Sequence, residues 1–353
     1  MTDLGEPGRP PRPSTHRDEY PNVAAWLDGV DSRHWWVQLL NAERDPAVTP
    51  PTMADVALGP LEILVRAVRA AGPKRLGELA SRVRDRDPAN LLSARLELLC
   101  AANLAFRHVP FEIGGTAEPD LTWNPATGAL GSLEIHRGSF SVFDDFQQTL
   151  DRELTAKGAT LTVRLDEWPL QVRDRNVLHT RISKAIDAAV AVGSGQAVPM
   201  PELGDGATGV IEPRQEIAGL DRVLVHHAGI TPTEGYLASV AARLARKVNV
   251  DKAGQGRRGG WDPDRTALLI DISTARLIQL LGQDGLSAWL DGVPVDWEEL
   301  PFAGVAVCFS HLHGPSLWGS CRYRPGLAAA DRMFLEPGLT AIGLATPGSR
   351  ARA

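Results

Sequence analysis

Three acidic residues have the types and surroundings of ligands for a divalent cation. Asp120 directly precedes an apolar segment, Glu134 lies within the next one, and the turn sequence NPATG separates them. Glu97 lies in the nearly continuous apolar segment 91–106, where an unpaired carboxylate is costly. Carboxylates that are gathered in one place repel one another, and a divalent cation removes that conflict. Because hard oxygen ligands suit Mg²⁺ or Mn²⁺, these residues predict metal-assisted hydrolysis of a phosphoryl substrate.

A histidine completes this candidate site. His136 follows Glu134 by two positions, and residues two apart on a β-strand share a face, so Leu133 and Ile135 belong to the opposite face. The intervening turn folds the two segments on each other, and Asp120 is therefore predicted to approach Glu134 across a hairpin. A cationic group beside a metal steadies the attacking water or the developing charge, and His136 holds that position.

The elements that must position these residues follow the order helix, strand, strand, strand, helix, strand. Asp87 and Pro88 predict the start of the first helix as its N-cap and N1 residues, and the strands VPFEI, DLTW and SLEIH follow it. The second helix is predicted from FSVFDDFQQTLDRELTAKG, where Phe143, Gln147 and Leu150 recur at helical intervals, and TLTVRL is the last strand. This order predicts an α/β fold in which helices sandwich a mixed β-sheet.

Composition and hydrophobic spacing predict four regions along the 353 residues. Residues 1–22 are rich in Pro, Gly and charge, which is typical of a disordered arm, and 23–90 are predicted to form an N-terminal helical region. The αβββαβ core occupies 91–170, and a C-terminal α/β region, 171–345, follows. That region contains the apolar strands DRVLVHHAG, RTALLIDIS and FAGVAVCFS. The sequence leaves open whether they extend the first sheet or form another layer.

Composition also argues against several classes of protein. The formal net charge of −6 gives no support to binding of a nucleic-acid duplex through a broad basic surface. The three cysteines are far apart and outside any CxxC pattern, so neither a disulfide framework nor a thiolate zinc site is predicted. No segment approaches the roughly 18 apolar residues of a membrane span, and residues 1–20 lack an apolar signal region. We therefore expect a cytoplasmic protein without a membrane partner.

The arrangement of acids resembles that of the PD-(D/E)xK nuclease superfamily, which includes restriction-type endonucleases, repair nucleases and nuclease-like proteins of bacterial defence. Pro119–Asp120 matches the PD element, Glu134 matches the D/E position, and His136 stands where the family has lysine. Glu97 resembles the acid that many members carry on the helix before the core. The resemblance covers about a fifth of the chain.

This resemblance implies a restriction endonuclease-like core that binds Mg²⁺ or Mn²⁺ through Asp120, Glu134 and Glu97. It implies a DNA endonuclease-like enzyme, with DNA rather than RNA as the nucleic-acid partner, in which His136 positions water or stabilises charge. Gln147 lies on the following helix, where some branches carry a glutamine near the site. The alternative is a nuclease-fold protein without cleavage that serves interaction or regulation, which the acidic net charge and His136 favour. The sequence leaves open a homodimer or a protein partner.

Each candidate residue also has an ordinary structural role that the sequence leaves open. Asp120 could begin a turn, whereas Glu134 and His136 could be ordinary strand residues. Glu97 could pair with an arginine of its own helix or a neighbouring one. For Gln147, a polar break in an amphipathic helix face is the favoured interpretation.

Other candidate sites have weaker support. The histidine pairs at 226–227 and 311–313 could bind a metal, but isolated pairs are more often structural. In KVNVDKAGQ, Lys247, Lys252 and Gln255 could contact phosphate, although a solvated helix end is the favoured interpretation. An α/β protein with an unrelated small-molecule pocket is the third hypothesis.

Overall fold

A mixed sheet of seven strands lies between two layers of helices in the computed structural model of the chain. The structure describes residues 15–43, 53–85, 88–115, 118–123, 130–137, 154, 159–164, 175–193, 195–201, 208–213, 223–226, 234–259, 261–273, 275–310 and 316–345.

Helices precede, interrupt and follow the strands in the described residues. The helices are α1 (Pro21–Trp26), α2 (Trp35–Asn41), α3 (Met53–Ala71), α4 (Leu76–Val83), α5 (Pro88–Phe106), α6 (Arg175–Val192), α7 (Glu234–Arg246), a π-helix (Lys247–Lys252), α8 (Ala253–Gly259), a 3₁₀-helix (Arg276–Leu281), α9 (Gly282–Asp291) and α10 (Ala329–Ala341). The strands are β1 (Phe111–Ile113), β2 (Leu121–Trp123), β3 (Gly131–Arg137), β4 (Ala159–Arg164), β5 (Ala197–Pro199), β6 (Thr208–Pro213), β7 (Val223–His226), β8 (Thr266–Asp271), β9 (Gly304–Ser310), β10 (Leu317–Tyr323) and β11 (Leu344–Ala345).

The seven-stranded sheet has the order β1-β2-β3-β8-β9-β10-β11. Strands β2 and β3 form the antiparallel hairpin that the sequence predicts, with Leu121 opposite Leu133, and β1 pairs antiparallel with β2. Strands β3, β8 and β9 run parallel, and β10 is antiparallel to β9. The fold is therefore the predicted mixed α/β arrangement in its coarse form, a mixed sheet flanked by helices.

The fourth strand of the predicted core lies elsewhere. The segment TLTVRL forms β4, but β4 pairs with β6 and β7 in a separate four-stranded sheet of order β5-β6-β4-β7. The neighbour of β3 is β8, which comes from more than a hundred residues further along the chain. Of the three apolar strands of the C-terminal region, two extend the first sheet as β8 and β9, and β7 joins the second sheet.

Alternation along β8 shows how the sheet separates two hydrophobic cores. Ala267 and Leu269 pack into the core beneath α1–α5 and α10, whereas Leu268 and Ile270 pack into the core beneath α6–α9. All four side chains are fully buried. A strand that is covered on both faces needs the continuous apolar sequence that RTALLIDIS contains.

The N-terminal helices agree with their sequence signals. The predicted N-terminal helical region contains α1–α4, and α3 ends at Ala71, immediately before Gly72 adopts a φ of 61°. Helix α5 packs against α3, α4 and β3. Because it is covered on several sides, its residues Leu98–Ala102 are all buried. In the described residues, no helix has the length and apolar character needed to cross a membrane.

Candidate metal-binding and catalytic site

Asp120 is held at the start of β2, opposite Glu134. Because Leu121 pairs with Leu133, the antiparallel register brings the preceding residue, Asp120, beside Glu134. The Asp120 Oδ2 atom accepts a hydrogen bond from the Ile135 backbone N–H at 2.8 Å. The backbone pairing of β2 with β3 ends at Leu121 and Leu133, and the Asp120 side chain accepts the hydrogen bond of the next backbone N–H that β3 turns toward β2. The predicted approach of Asp120 to Glu134 across the hairpin is observed.

A close backbone contact fixes the position of Asp120. The Gly114 N–H donates to the Asp120 carbonyl oxygen at 2.8 Å. A Cβ atom on Gly114 would lie 1.8 Å from the Pro119 carbonyl oxygen, which is far inside van der Waals contact. Only glycine allows β1 and the segment before β2 to approach this closely.

We expect Gly114→Ala to lower the free energy of unfolding by about 2–3 kcal/mol, because the added methyl group must displace the Pro119–Asp120 backbone. Chemical denaturation measures this change. Gly77→Ala is the matched control, since a Cβ atom there meets no heavy atom within 4 Å and lies within helix α4. That control should be neutral or stabilising by up to about 1 kcal/mol. Equal stability of the two variants would contradict the constraint at Gly114.

The carboxyl groups of Asp120 and Glu134 are neighbours across the hairpin, and each affects the ionisation of the other. Burial and then the negative charge of Asp120 raise the pKa of Glu134 to about 8. Burial also raises the pKa of Asp120, although the hydrogen bond from Ile135 opposes that increase. The pair therefore retains a proton at neutral pH, as two adjacent carboxylates do when no cation is bound between them.

Lys252 contacts Glu134 from the opposite side of the site. Its Nζ atom lies 2.9 Å from Glu134 Oε1, and both side chains are almost completely buried. Lys252 is the last residue of the π-helix, and it follows Val248, which is also buried. The prediction of a solvated helix end is therefore wrong for Lys252.

The sequence contains a signal for this buried lysine. The buried residues Val240, Leu244 and Val248 recur at steps of four, and Lys252 continues that series. A series with that step drifts around a regular α-helix, and the wider turn of the π-helix from Lys247 to Lys252 offsets part of that drift. A lysine that continues the spacing of the buried apolar residues therefore indicates a buried cation.

Glu97 lies on α5 and pairs with an arginine. The Arg82 Nη2 atom is 2.7 Å from Glu97 Oε2. Burial and the negative charge of Asp120 raise the pKa of Glu97 to about 7, and Arg82 partly offsets that increase. Glu97 is thus electrostatically coupled to Asp120, while its nearest ionic partner is Arg82 of α4.

His136 shares the face of Glu134 but is held neutral. Burial, followed by the positive charges of Lys252 and Lys247, lowers the pKa of His136 to about 3. Its Nε2 atom is buried and makes no hydrogen bond within the described part of the chain. At neutral pH this imidazole cannot supply the positive charge that the motif lysine provides.

The predicted site residues are thus partly brought together. Asp120 and Glu134 are in contact, whereas the carboxylates of Glu97, Asp120 and Glu134 do not form a group of ligand atoms within 4.8 Å of one another in the described residues. Gln147 and most of its predicted helix lie outside those residues. The arrangement that remains is two proton-sharing carboxyls with a buried lysine, and these two acids could hold a divalent cation together with water.

A surface cavity of about 400 Å³ is lined by residues that flank the two acids in sequence, although neither Asp120 nor Glu134 lines it. Thr122 and Ser132 line it. Thr122 lies two residues after Asp120, and Ser132 lies two residues before Glu134, so each shares a strand face with the neighbouring acid. The ring of Trp261 and the side chain of Arg265 complete its wall on the other side. The cavity therefore presents polar, aromatic and cationic groups together with the carboxylates of Glu118 and Asp262.

No known protein family, curated protein or solved structure matches this chain.

Proposed function

We propose that the chain is a divalent-metal-dependent phosphodiesterase that cleaves DNA, with its site at Asp120, Glu134 and Lys252. The observation that carries the proposal is the 2.9 Å contact between Lys252 Nζ and Glu134 Oε1. Through this contact, the π-helix supplies the cation that the sequence motif lacks at position 136. The proposed restriction endonuclease-like core then consists of α5, the hairpins of β1–β3, and β8 in place of β4.

The two carboxyls fit a magnesium or manganese ion. Mg²⁺ is usually held by one or two carboxylates and several waters, and Asp120 with Glu134 offers that set. Their shared proton is the expected state of two adjacent buried carboxyls whose charge Lys252 only partly offsets. A bound ion would supply Lewis-acid polarisation of a phosphoryl oxygen.

Lys252 is the residue proposed to act on the reacting groups. When Glu134 ionises, the ammonium of Lys252 keeps a partner for its buried charge. A preorganised donor in a water-poor site stabilises developing charge more strongly than one in bulk water. Glu97 and Arg82 have a supporting role, in which the ion pair sets the charge beside Asp120.

The adjacent cavity supports a nucleic-acid substrate. Arg265, whose Nε atom lies 3.8 Å from Asp262 Oδ2, can exchange that partner for a phosphate, and Thr122 can donate a hydrogen bond to a sugar or phosphate group. Because the chain has a net charge of −6, we propose that these local groups and the ion, rather than a broad basic surface, neutralise the phosphates.

A second candidate function is a nuclease-fold protein that binds a partner without cleaving DNA. Glu97 pairs with Arg82, and in the described residues it does not form a group of metal-ligand atoms with Asp120 and Glu134. This arrangement favours the second function. The neutral state of His136 favours it as well. The experiment below separates the two functions.

The test compares metal binding and cleavage in the same variants. We expect a saturating Mn²⁺ concentration to raise the melting temperature of the wild type by about 3 °C and that of Asp120→Asn or Glu134→Gln by none, because only the folded wild type binds the ion. Thermal unfolding with and without Mn²⁺ measures this shift. Glu112→Gln is the matched control, since Glu112 is an exposed carboxylate on the neighbouring strand β1.

Nicking of supercoiled plasmid by the same proteins then tests catalysis. We expect cleavage by the wild type and by Glu112→Gln, and none by Asp120→Asn or Glu134→Gln. Metal binding without nicking would favour the second function, and equal shifts in all variants would remove the metal site.

A further inference from the structure

A second group of metal-ligating side chains lies far from the acids in sequence, where the N-terminal segment packs against α2 and α3. This segment, 15–20, begins with a β-bridge between Thr15 and Glu43. Arg17 Nε donates to Asn41 Oδ1 at 2.7 Å. These contacts fix the segment against the end of α2.

His16, Glu19 and Asp55 converge within this packed segment. One ring nitrogen of His16 and one carboxylate oxygen from each acid all lie within 4.8 Å of one another. His16 Nδ1 and Glu19 Oε2 are 3.1 Å apart. Two ligand atoms that each bind a tetrahedral ion at about 2.0–2.2 Å are separated by roughly 3.4 Å. Little movement would therefore place these two atoms around a common ion.

The surroundings hold two of the three side chains in place. His16 is only 3% exposed, and its ring stacks on that of Tyr20. The Tyr20 hydroxyl donates to Asp55 Oδ1 at 2.7 Å. Hydrogen bonds of this kind orient the carboxylate ligands of metal sites and restrict their rotation. Glu19 is brought to the same side as His16 by the turn in which the Glu19 N–H donates to the His16 carbonyl oxygen.

We infer that His16, Glu19 and Asp55 form a zinc-binding site that joins the N-terminal segment to α3. One imidazole and two carboxylates are a donor set for Zn²⁺, with a water as the fourth ligand, and imidazole disfavours Mg²⁺. This inference does not depend on the proposed nuclease function, because the site shares no residue with the acids of the first site.

The test measures zinc stoichiometry and coordination directly in the full chain. We expect the metal-free wild type to bind one Zn²⁺ at this site in calorimetric titration, and Co²⁺ in its place to show the visible absorption of a tetrahedral ion. Each of His16→Gln, Glu19→Gln and Asp55→Asn should weaken zinc binding by at least about 100-fold, since each removes a direct ligand. Asp55→Asn keeps an oxygen that can accept from Tyr20, so it tests coordination with little loss of packing.

Two controls distinguish this site from others. Asp18→Asn removes a neighbouring exposed carboxylate from the same turn and should bind zinc as the wild type does. The double variant Asp120→Asn/Glu134→Gln should also retain this zinc, whether or not the chain cleaves DNA. The inference is overturned if the wild type binds no zinc, if the three ligand variants keep it, or if only the Asp120/Glu134 variant loses it.

Discussion

Replacing Lys252 with glutamine is expected to lower the rate of metal-dependent plasmid nicking by about 10²–10³-fold, the usual loss when one preorganised donor to developing charge is removed. The effect should fall on the rate at saturating Mg²⁺ rather than on metal affinity, because Lys252 contacts Glu134 as a cation and cannot ligate the ion while protonated. Single-turnover nicking rates at several Mg²⁺ concentrations separate these two quantities.

The fold should survive this substitution. Glutamine retains an amide donor for Glu134, and a protonated Glu134 needs no counter-charge, so the free energy of unfolding should fall by less than about 2 kcal/mol. Lys247→Gln is the matched control, since it removes a lysine from the same π-helix that pairs with Asp251 at the surface. Equal nicking rates for the two variants would show that the buried lysine has no catalytic role.

A rescue experiment tests whether the position of the cation matters. His136 lies on the strand face that carries Glu134 and senses the charge of Lys252. The double variant Lys252→Gln/His136→Lys should therefore recover about tenfold in rate over Lys252→Gln, because it returns an ammonium to the same face. No recovery, with the fold intact, would indicate that the reaction needs the ammonium to approach from the π-helix.

The second large effect concerns pH and metal affinity. The pKa of Glu134 is raised to about 8, so a divalent ion that binds there must displace a proton at any lower pH. We expect the apparent affinity for Mn²⁺ to rise by about tenfold per pH unit well below the pKa, and by about 50-fold between pH 6 and pH 8. Calorimetric titrations in two buffers of different ionisation enthalpy would also count about one released proton.

Without metal, the stability of the protein should change in the opposite direction. Because the pKa of Glu134 is about 8 in the folded state and ordinary in the unfolded state, the folded protein binds the extra proton between these values. Stability is then lost as the pH rises, by about 1 kcal/mol per unit near pH 7. Glu134→Gln should remove most of this slope between pH 7 and pH 8, where Glu97, with a pKa of about 7, contributes less. An unchanged slope in the variant would contradict the assignment.

His136 has its own pH window. Its pKa is lowered to about 3 in the folded state, so the unfolded chain binds a proton on His136 more readily below its ordinary pKa. Stability from this group is therefore lost as the pH falls below about 6.5. The window from pH 7 to pH 8 reports on Glu134 without this contribution.

Local signals in the sequence correctly located much of the hairpin and the helices. The turn sequence between the two apolar segments produced antiparallel strands that bring Asp120 beside Glu134. The helices of the predicted N-terminal helical region are also observed. These features depend on neighbouring residues only, so composition and spacing contain the necessary information.

The partners of those elements depend on contacts that are distant in the chain. TLTVRL forms a strand, as predicted, but the sequence of a strand does not by itself determine which of two sheets it joins. The strand pairs with β6, and the neighbour of β3 is β8. The environment of His136 could not be read from its spacing either, since its low pKa results from burial beneath the π-helix and the charge of Lys252.

The sequence by itself determined the mixed α/β class, the hairpin, and the approach of two carboxyls across it, because periodicity and turn chemistry act over a few residues. Only the tertiary structure decided which cation meets Glu134 and which arginine meets Glu97. Both partners come from other helices, and a buried charge takes whichever partner the packing of those helices brings within reach.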